Sequence, residues 1–203
     1  MPSIKLYLVI ANSMRKFFAI STILFCSLLL SSCWEAATTA VAGGFLVYKR
    51  HAVENFANDA RIKTEINNAY FQIPEIWDQN HIVVGCVNSY VLLAGEARTP
   101  AIKQQAVALA KKVSGVAKVY DNISIGEPVS FFQQTKDTTI TAIIKTKMFF
   151  AENFDPSGMK VITDNNVVYL LGVVSPQQAD QAADIASKTT GVTKVVKVFQ
   201  YIT

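Results

Sequence analysis

Cysteine and histidine are scarce in this sequence, and neither is arranged for chemistry. The chain of 203 residues has three cysteines and two histidines. No two cysteines have the Cys-x-x-Cys spacing of zinc or redox sites, and neither a Gly-rich phosphate loop nor a nucleophile elbow is found. The histidines, His51 and His81, are expected to be solvated or hydrogen-bonded. The sequence therefore predicts no enzyme, no metal and no cofactor.

Acidic side chains are missing from the beginning of the chain. Three of the 19 basic residues and none of the 15 acidic ones precede Cys33, so residues 33–203 carry 16 basic and 15 acidic side chains. That balance lacks the basic excess of a nucleic-acid-binding protein. We therefore expect no nucleic-acid partner.

A long apolar run is also missing, but a shorter one lies near the N-terminus. Arg15 and Lys16 precede 14 mostly apolar residues, Phe17 to Leu30, whereas a membrane-spanning helix needs about 20. This pattern is typical of a signal peptide, and Met14 is an alternative start to Met1. The following Leu-Ser-Ser-Cys, which ends at Cys33, resembles the bacterial lipobox, where cleavage precedes a diacylated cysteine. The alternative is a short anchor helix with an incidental cysteine.

Acylation at Cys33 would determine where the protein resides. One acyl chain gives marginal membrane binding, whereas two or more give a durable anchor. Residue 34 is Trp rather than the Asp that favours inner-membrane retention, so we expect the periplasmic face of the outer membrane. After cleavage only Cys86 keeps a thiol, and its apolar surroundings, "HIVVGCV", predict a small buried side chain.

The remainder of the chain is an internal duplication. "DARIKTEINNAYF" from Asp59 aligns with "DTTITAIIKTKMFF" from Asp137, "IVVGCVNSYVLLAGEA" from Ile82 with "MKVITDNNVVYLLGVV" from Met159, and the segment from Thr99 with the segment from Ser175. Each copy has apolar residues at helical spacing, then two strands joined at Asn88-Ser89 or Asn165-Asn166, where asparagine tolerates a positive φ.

A second helix and a last strand complete each copy. Thr99-Pro100 and Ser175-Pro176 are a hydroxyl N-cap followed by proline, and Gly115 or Gly191 stops the helix before a valine-rich strand. Asp59 and Asp137 are suitable caps near the start of each first helix. The fold class is therefore α+β, with two αββαβ units, each having two helices on a three-stranded mixed sheet.

Each unit is small enough for its own core to be marginal. We therefore expect the two units to pack on each other, with Phe131 and Phe132 of the short connector filling the seam. The expected segments are a signal peptide at 1–32, a lipidated tether at 33–58, a first domain at 59–126, a linker at 127–136 and a second domain at 137–203.

The glycine after paired aliphatic residues, the alanine-rich helix and the following "GV" together resemble the BON domain. The matching residues are Leu93, Gly95, Ala106, Ala110, Gly115, Val116 and Val119, and in the second copy Leu170, Gly172, Ala182, Ala186, Gly191, Val192 and Val195. Two such domains behind a lipobox are similar to the dual BON-domain outer-membrane lipoproteins of Gram-negative bacteria. That resemblance implies a non-catalytic protein that binds anionic phospholipid through the first helix of domain 2 and supports envelope integrity.

The position of the membrane-facing aromatic of that family is occupied here by Thr139. With Ile140 as the origin of a helical wheel, Ile143, Ile144, Lys147 and Ala151 fall on the core side, Phe149 lies opposite and Phe150 at the flank. An exposed aromatic beside lysines suits a lipid interface. The candidate phospholipid-binding residues are Lys145, Lys147, Met148, Phe149 and Phe150.

Packing is the competing interpretation of these residues. Phe71 in the first copy matches Phe149, so this aromatic could close the helix against its own domain. For the whole protein, the alternative is a periplasmic scaffold or chaperone-like module that binds envelope proteins through sheet edges or the groove between the domains. A peptidoglycan-remodelling enzyme or its activator has no residue signature here beyond location.

Overall fold

The computed structural model describes residues 43–202, with side chains from residue 55 onward. Cys33 and the predicted signal peptide lie outside these residues. The elements are α1 Gly43–Phe71, α2 Pro74–Trp77, β1 His81–Val87, β2 Tyr90–Ala97, α3 Pro100–Lys112, β3 Lys118–Ile125, α4 Phe131–Phe149, β4 Met159–Asp164, β5 Val167–Val174, α5 Pro176–Ser187 and β6 Lys194–Tyr201.

Two three-stranded mixed sheets confirm the predicted α+β fold. In the first sheet β2 pairs antiparallel with β1 and parallel with β3, and in the second sheet β5 pairs in the same way with β4 and β6. The short helix α2 was not predicted, and α1 begins at Gly43, so residues 43–58 of the expected tether are helical.

The predicted turns and caps of the second half of each unit are confirmed. Asn88, Ser89, Asn165 and Asn166 all have φ between 46° and 65°, as the two-residue hairpins require. Thr99 Oγ1 accepts the Ile102 N–H at 3.2 Å, and Ser175 forms a capping box with Gln178. Gly115 and Gly191 have φ of 87° and 92° in the turns after α3 and α5, a conformation that glycine adopts without a steric cost.

The two central strands are buried on both faces. Along β2, Val91, Leu93 and Ala97 pack against the helices of domain 1, whereas Leu92 and Ala94 point toward the second sheet. Since side chains alternate along a strand, a strand covered on both sides is apolar throughout, as "YVLLAGEA" and "VVYLLGVV" nearly are.

The two sheets pack face to face, so the predicted association of the two units is confirmed. Leu92, Ala94, Tyr169, Leu171 and Val198 form the core of this seam, and residues 47–203 make one compact unit. Gly85 of the first sheet allows the second sheet to approach closely, because a Cβ atom at this position would lie 2.5 Å from Ile162 Cδ1.

The residues expected to fill the seam do not lie in it. Phe131 and Phe132 are 83% and 80% exposed, so that prediction was wrong. The sheet faces already bury enough apolar surface to join the domains, and the connector runs along the edge of the seam.

Polar contacts show how the sheets are oriented. Lys160 Nζ at the start of β4 donates to the Cys86 carbonyl near the end of β1 at 2.7 Å. His81 Nε2 at the start of β1 lies 3.3 Å from Asp164 Oδ1 at the end of β4. Strands β1 and β4 therefore run in opposite directions across the seam, as an approximate two-fold relation between the copies requires.

Candidate lipid-binding surface

The first helix of the second domain begins six residues before the predicted start. Ser130 is the N-cap of α4, and its Oγ accepts the Gln133 N–H at 3.2 Å. Asp137 and Asp59 are buried inside their helices, so their prediction as helix caps was wrong.

These two aspartates bind the hairpin turns instead. The Asp59 carboxylate accepts the N–H groups of Asn88 and Ser89, each at 2.8 Å. The Asp137 carboxylate accepts those of Asn165 and Asn166, each at 2.9 Å. A short acidic side chain within the helix therefore fixes the β-hairpin over it in both copies.

The five candidate residues lie on different faces of α4. Met148 is 1% exposed and packs in the domain core with Ile140 and Ile144, because residues four apart share a helix face. Met148 was therefore wrongly included among the lipid-contacting residues. Lys145, Lys147, Phe149 and Phe150 are exposed.

Both ends of α4 carry a pair of exposed phenylalanines. Phe131 and Phe132 stand at the first two positions, and Phe149 and Phe150, 69% and 76% exposed, stand at the end. The two pairs are about 27 Å apart along the helix axis at 1.5 Å per residue. Phe131 and Phe132 were not predicted to belong to this surface, because Asp137 resembles the start of a helix. Ser130, which is followed by residues compatible with a helix, is the sequence signal for the actual start.

All four rings belong to the outward half of the helix. At about 100° per residue, Phe132, Ile143 and Phe150 fall within about 20° of one another, and Phe131 and Phe149 lie about 100° further round. Ile143 was expected on the core side, but it is 41% exposed. Phe132, Ile143 and Phe150 thus form one apolar row along the helix, and Phe131 and Phe149 form a second. The exposed residues between these two rows are small or hydroxylated: Thr135, Thr139, Ala142 and Thr146.

The exposed charges of α4 are all positive. Lys136, Lys145 and Lys147 are exposed, and the one acidic residue between Phe131 and Phe149 is the buried Asp137. Lys147 was expected on the core side but lies at the boundary, where its ammonium donates to Thr189 Oγ1 at 3.1 Å. Lysines therefore flank the apolar rows, although the second domain as a whole carries no net charge.

The first domain has one exposed aromatic pair that resembles the pair at the end of α4. Phe71 meets the Trp77 ring edge-on at 5.4 Å between ring centroids, and Phe149 meets Phe150 at 5.1 Å in the same manner. Phe71 is 60% exposed. The buried residues that end the two helices are Tyr70 and Met148, so neither Phe71 nor Phe149 closes its domain core.

The polar groups near Cys86 are engaged in structural contacts. Cys86 is buried, as predicted, and its thiol donates to Asp59 Oδ1 at 3.2 Å. Burial, together with this hydrogen bond to a carboxylate, raises the pKa of the Cys86 thiol to about 12. A thiol with so high a pKa has almost no nucleophilic thiolate at neutral pH.

The described part of the chain has neither a grouping of metal ligands nor a membrane-spanning helix. Among residues 43–202, no three or more His, Cys, Asp or Glu side chains are grouped so that they could hold a metal ion. No helix among these residues combines the length and the apolar character needed to cross a membrane.

The paired αββαβ units define the class of protein. The BON domain family matches residues 58–127 and 136–203, and the chain belongs to this family. It is 36% identical over 173 residues to the outer membrane lipoprotein DolP of Haemophilus influenzae, covering 83% of this chain and 90% of that protein.

Two further relatives cover most of the chain. It is 35% identical to the 21 kDa hemolysin of Actinobacillus pleuropneumoniae, over 77% of this chain and 73% of that protein. It is also 32% identical to the osmotically-inducible protein Y of Escherichia coli, over 78% of this chain and 80% of that protein. None of these names describes an enzyme.

Proposed function

We propose that this protein is an outer-membrane lipoprotein that is acylated at Cys33 and binds anionic phospholipid through α4 of its second domain, thereby supporting envelope integrity. The observation that carries the lipid-binding proposal is the outward face of α4, with four exposed phenylalanines, Ile143 and three flanking lysines. The name and the high coverage of the lipoprotein DolP support the location.

An exposed apolar helix face of this kind is costly in water. Complete burial of a phenylalanine side chain is worth about 1.5–3 kcal/mol, so partial insertion of four rings would contribute several kcal/mol. Each lysine near an anionic surface adds about 1 kcal/mol. These terms together suit a helix that lies in the headgroup region with its axis parallel to the membrane.

The position of the lysines fits this orientation. Their stems extend from the sides of the helix, so the ammonium groups can reach phosphates while the rings lie deeper. The acyl groups at Cys33 would hold the protein at the membrane, and α4 would then decide which surface of the second domain faces the lipid.

Vesicle co-sedimentation tests the role of α4 without the anchor. The chain from residue 33 onward, carrying Cys33→Ser, is expected to bind vesicles that contain anionic phospholipid and to bind neutral vesicles weakly. Replacing Phe131, Phe132, Phe149 and Phe150 by alanine should abolish this binding. The matched control is Phe71→Ala with Trp77→Ala, which removes an exposed aromatic pair from the first domain.

Two results would contradict the proposal. One is equally negligible binding to both kinds of vesicle. The other is an equal loss of binding in the α4 variant and in the first-domain control. Anchoring is tested separately, because Cys33→Ser in the full chain should prevent incorporation of radiolabelled fatty acid and release the protein from the membrane fraction.

A further inference from the structure

A cleft between the two domains lies away from the outward face of α4. It has a volume of about 420 Å³, and its lining includes Asn55, Phe56, Asp59, Lys160, Val173 and Ile202. This size is within the range of about 300–1,000 Å³ that ligand sites in proteins have.

The approximate two-fold relation between the domains gives this cleft a counterpart at the other end of the seam. Asp59 and Asp137 make the same turn contacts, and the Ile202 N–H donates to the Val174 carbonyl at 3.1 Å, as the Gly126 N–H donates to the Ala97 carbonyl at 3.0 Å. Aligned in this way, Phe56 of the cleft corresponds to Gln134 at the other end.

The part of this counterpart near Glu96 and Gln134 holds a segment of the chain itself. The linker after β3 passes along it, and Val129 lies between the two domains. The Val129 N–H donates to Glu96 Oε2 at 3.4 Å, and Gln134 Nε2 donates to the Val129 carbonyl at 3.2 Å. The seam therefore accommodates an extended peptide segment at one of its two ends.

The residues of the two ends differ in polarity at four aligned positions. In the cleft, Gly158 stands where the linker end has His81, and Val173 stands where it has Glu96. Phe56 likewise corresponds to Gln134, and Val87 corresponds to Asp164. Phe56 is 70% exposed, and Ile202, which replaces Gly126, is 53% exposed. At these four positions the cleft has glycine or an apolar side chain, so the part of the cleft near Phe56 and Val173 favours an apolar group. Lys160 of the cleft is the exception, because it corresponds to Val83 at the linker end.

Charge in the cleft is already compensated. Both oxygens of Asp59 accept hydrogen bonds from the β1–β2 turn, and Lys160 Nζ donates to the Cys86 carbonyl. The Lys160 ammonium keeps its charge and two further N–H groups, but Asp59 and Lys160 have opposite signs, so the lining carries no net charge and does not favour a charged occupant. The exposed side chains of Asn55 and Ser157 offer hydrogen bonds to amide groups, which an alkyl chain would leave unused.

We infer that this cleft binds an extended, uncharged peptide segment of a protein partner, which places one apolar side chain between Phe56 and Val173. The segment would lie as the linker lies at the other end of the seam. This activity is separate from lipid binding, because none of the cleft residues belongs to α4.

The test is an NMR titration of the chain from residue 33 onward carrying Cys33→Ser. The probe is the acetylated and amidated peptide Gly-Ala-Pro-Val-Ser-Ala, which follows the linker sequence without its charge and its aromatic ring. Saturable shifts are expected at Phe56, Val87, Val173 and Ile202. The same peptide with Asp in place of Val should produce none.

Two variants test the specificity of binding by placing residues of the linker end at the corresponding positions of the cleft. Phe56→Gln, alone or with Val173→Glu, should weaken binding of the peptide about tenfold, as loss of one packed apolar contact does. Phe56 is largely exposed, so Phe56→Gln leaves the fold intact. Phe71→Gln, on the same helix but outside the cleft, is the matched control and should not change the affinity.

Three results would overturn the inference. The first is the absence of saturable shifts, and the second is unchanged affinity in Phe56→Gln. The third is binding of decanoate, below its micelle concentration, at these residues without binding of the peptide, because the occupant would then be an acyl chain. Vesicle binding is expected to be the same in all of these cleft variants.

Discussion

His81 of the first domain and Asp164 of the second form an ion pair across the seam, with 3.3 Å between Nε2 and Oδ1. The interaction with the Asp164 carboxylate raises the pKa of His81 above its ordinary value of 6.5. The charges of Glu96 and Asp137 act in the same direction, while burial opposes them. Burial, followed by the charge of Asp164, also raises the pKa of Glu96.

This arrangement predicts that the protein loses stability as the pH rises above neutrality. A raised pKa in the folded state means that the stabilisation by protonated His81 is complete below pH 6.5 and is lost as the pH rises through the folded-state pKa. Protonation of Glu96 acts in the same direction at lower pH. The melting temperature of wild type, followed by circular dichroism, should therefore fall from about pH 6 to 8 more steeply than that of His81→Gln. Parallel curves would contradict the role of the pair.

The turn contact of Asp137 should be a large contributor to the stability of domain 2. Asp137→Ala removes a buried acceptor of two backbone N–H groups, so we expect a loss of about 3 kcal/mol in the free energy of unfolding by urea. Asp137→Asn should cost less, because the amide oxygen still accepts one bond. Asp155→Asn is the control, since its exposed carboxylate accepts the Ser157 N–H and its loss should cost about 0.5 kcal/mol or less. Equal effects would contradict the prediction.

Packing between the sheets should make the two domains unfold together. Leu171→Ala leaves a cavity in the seam, where Leu171 is 1% exposed, and we expect a loss of about 3 kcal/mol in one cooperative transition. Ile125→Ala, at an exposed strand end, should have little effect. Two separate transitions in wild type, or a Leu171→Ala variant that melts like wild type, would show that the seam contributes little.

The Cys86 thiol should be chemically silent in the folded protein. Because the side chain is buried and its pKa is raised to about 12, a thiol reagent should react with the chain from residue 33 onward, carrying Cys33→Ser, only as fast as that chain unfolds. Reaction should be complete in denaturant. Rapid labelling under native conditions would contradict the burial of this side chain.

Salt should separate the two contributions to lipid binding. Raising the salt concentration from about 0.1 to 1 M shortens the Debye length from about 10 to 3 Å, so binding to anionic vesicles should weaken in wild type. Lys145→Glu with Lys147→Glu should bind weakly at low salt and depend little on salt. The alanine variant of the four phenylalanines should bind weakly throughout. Salt-independent binding of wild type would contradict a role for these lysines.

Much of the fold could be predicted because it depends on short-range patterns. The hairpin at Asn88-Ser89 and the caps at Thr99 and Ser175 are set by residues within a few positions of one another. The duplication strengthened each of these predictions, since the same pattern occurs twice. The start of α4 was misplaced because aspartate is a residue type typical of helix caps. The actual partners of the Asp137 carboxylate are the N–H groups of Asn165 and Asn166, which are 28 and 29 residues away in the sequence.

The surface of α4 was predicted only in part for the same reason. A helix that begins at Asp137 leaves Phe131 and Phe132 in a connector, and two adjacent phenylalanines in a connector predict burial in the seam between the domains. Their true position depends on how the sheets cover each other, since the seam is already filled by Leu92, Tyr169 and Leu171. Met148 was misplaced because its neighbours in sequence are exposed, although its helical phase matches Ile144.

The sequence by itself determined the paired αββαβ units, their turns and the burial of Cys86, because local backbone preferences and the alternation of apolar residues specify these features. Tertiary structure alone decided which side chains remain on the surface, how His81 meets Asp164, and that one end of the seam holds the linker while the other forms an apolar cleft. Those features depend on contacts between residues far apart in the chain, and such contacts leave no periodic signal in the sequence.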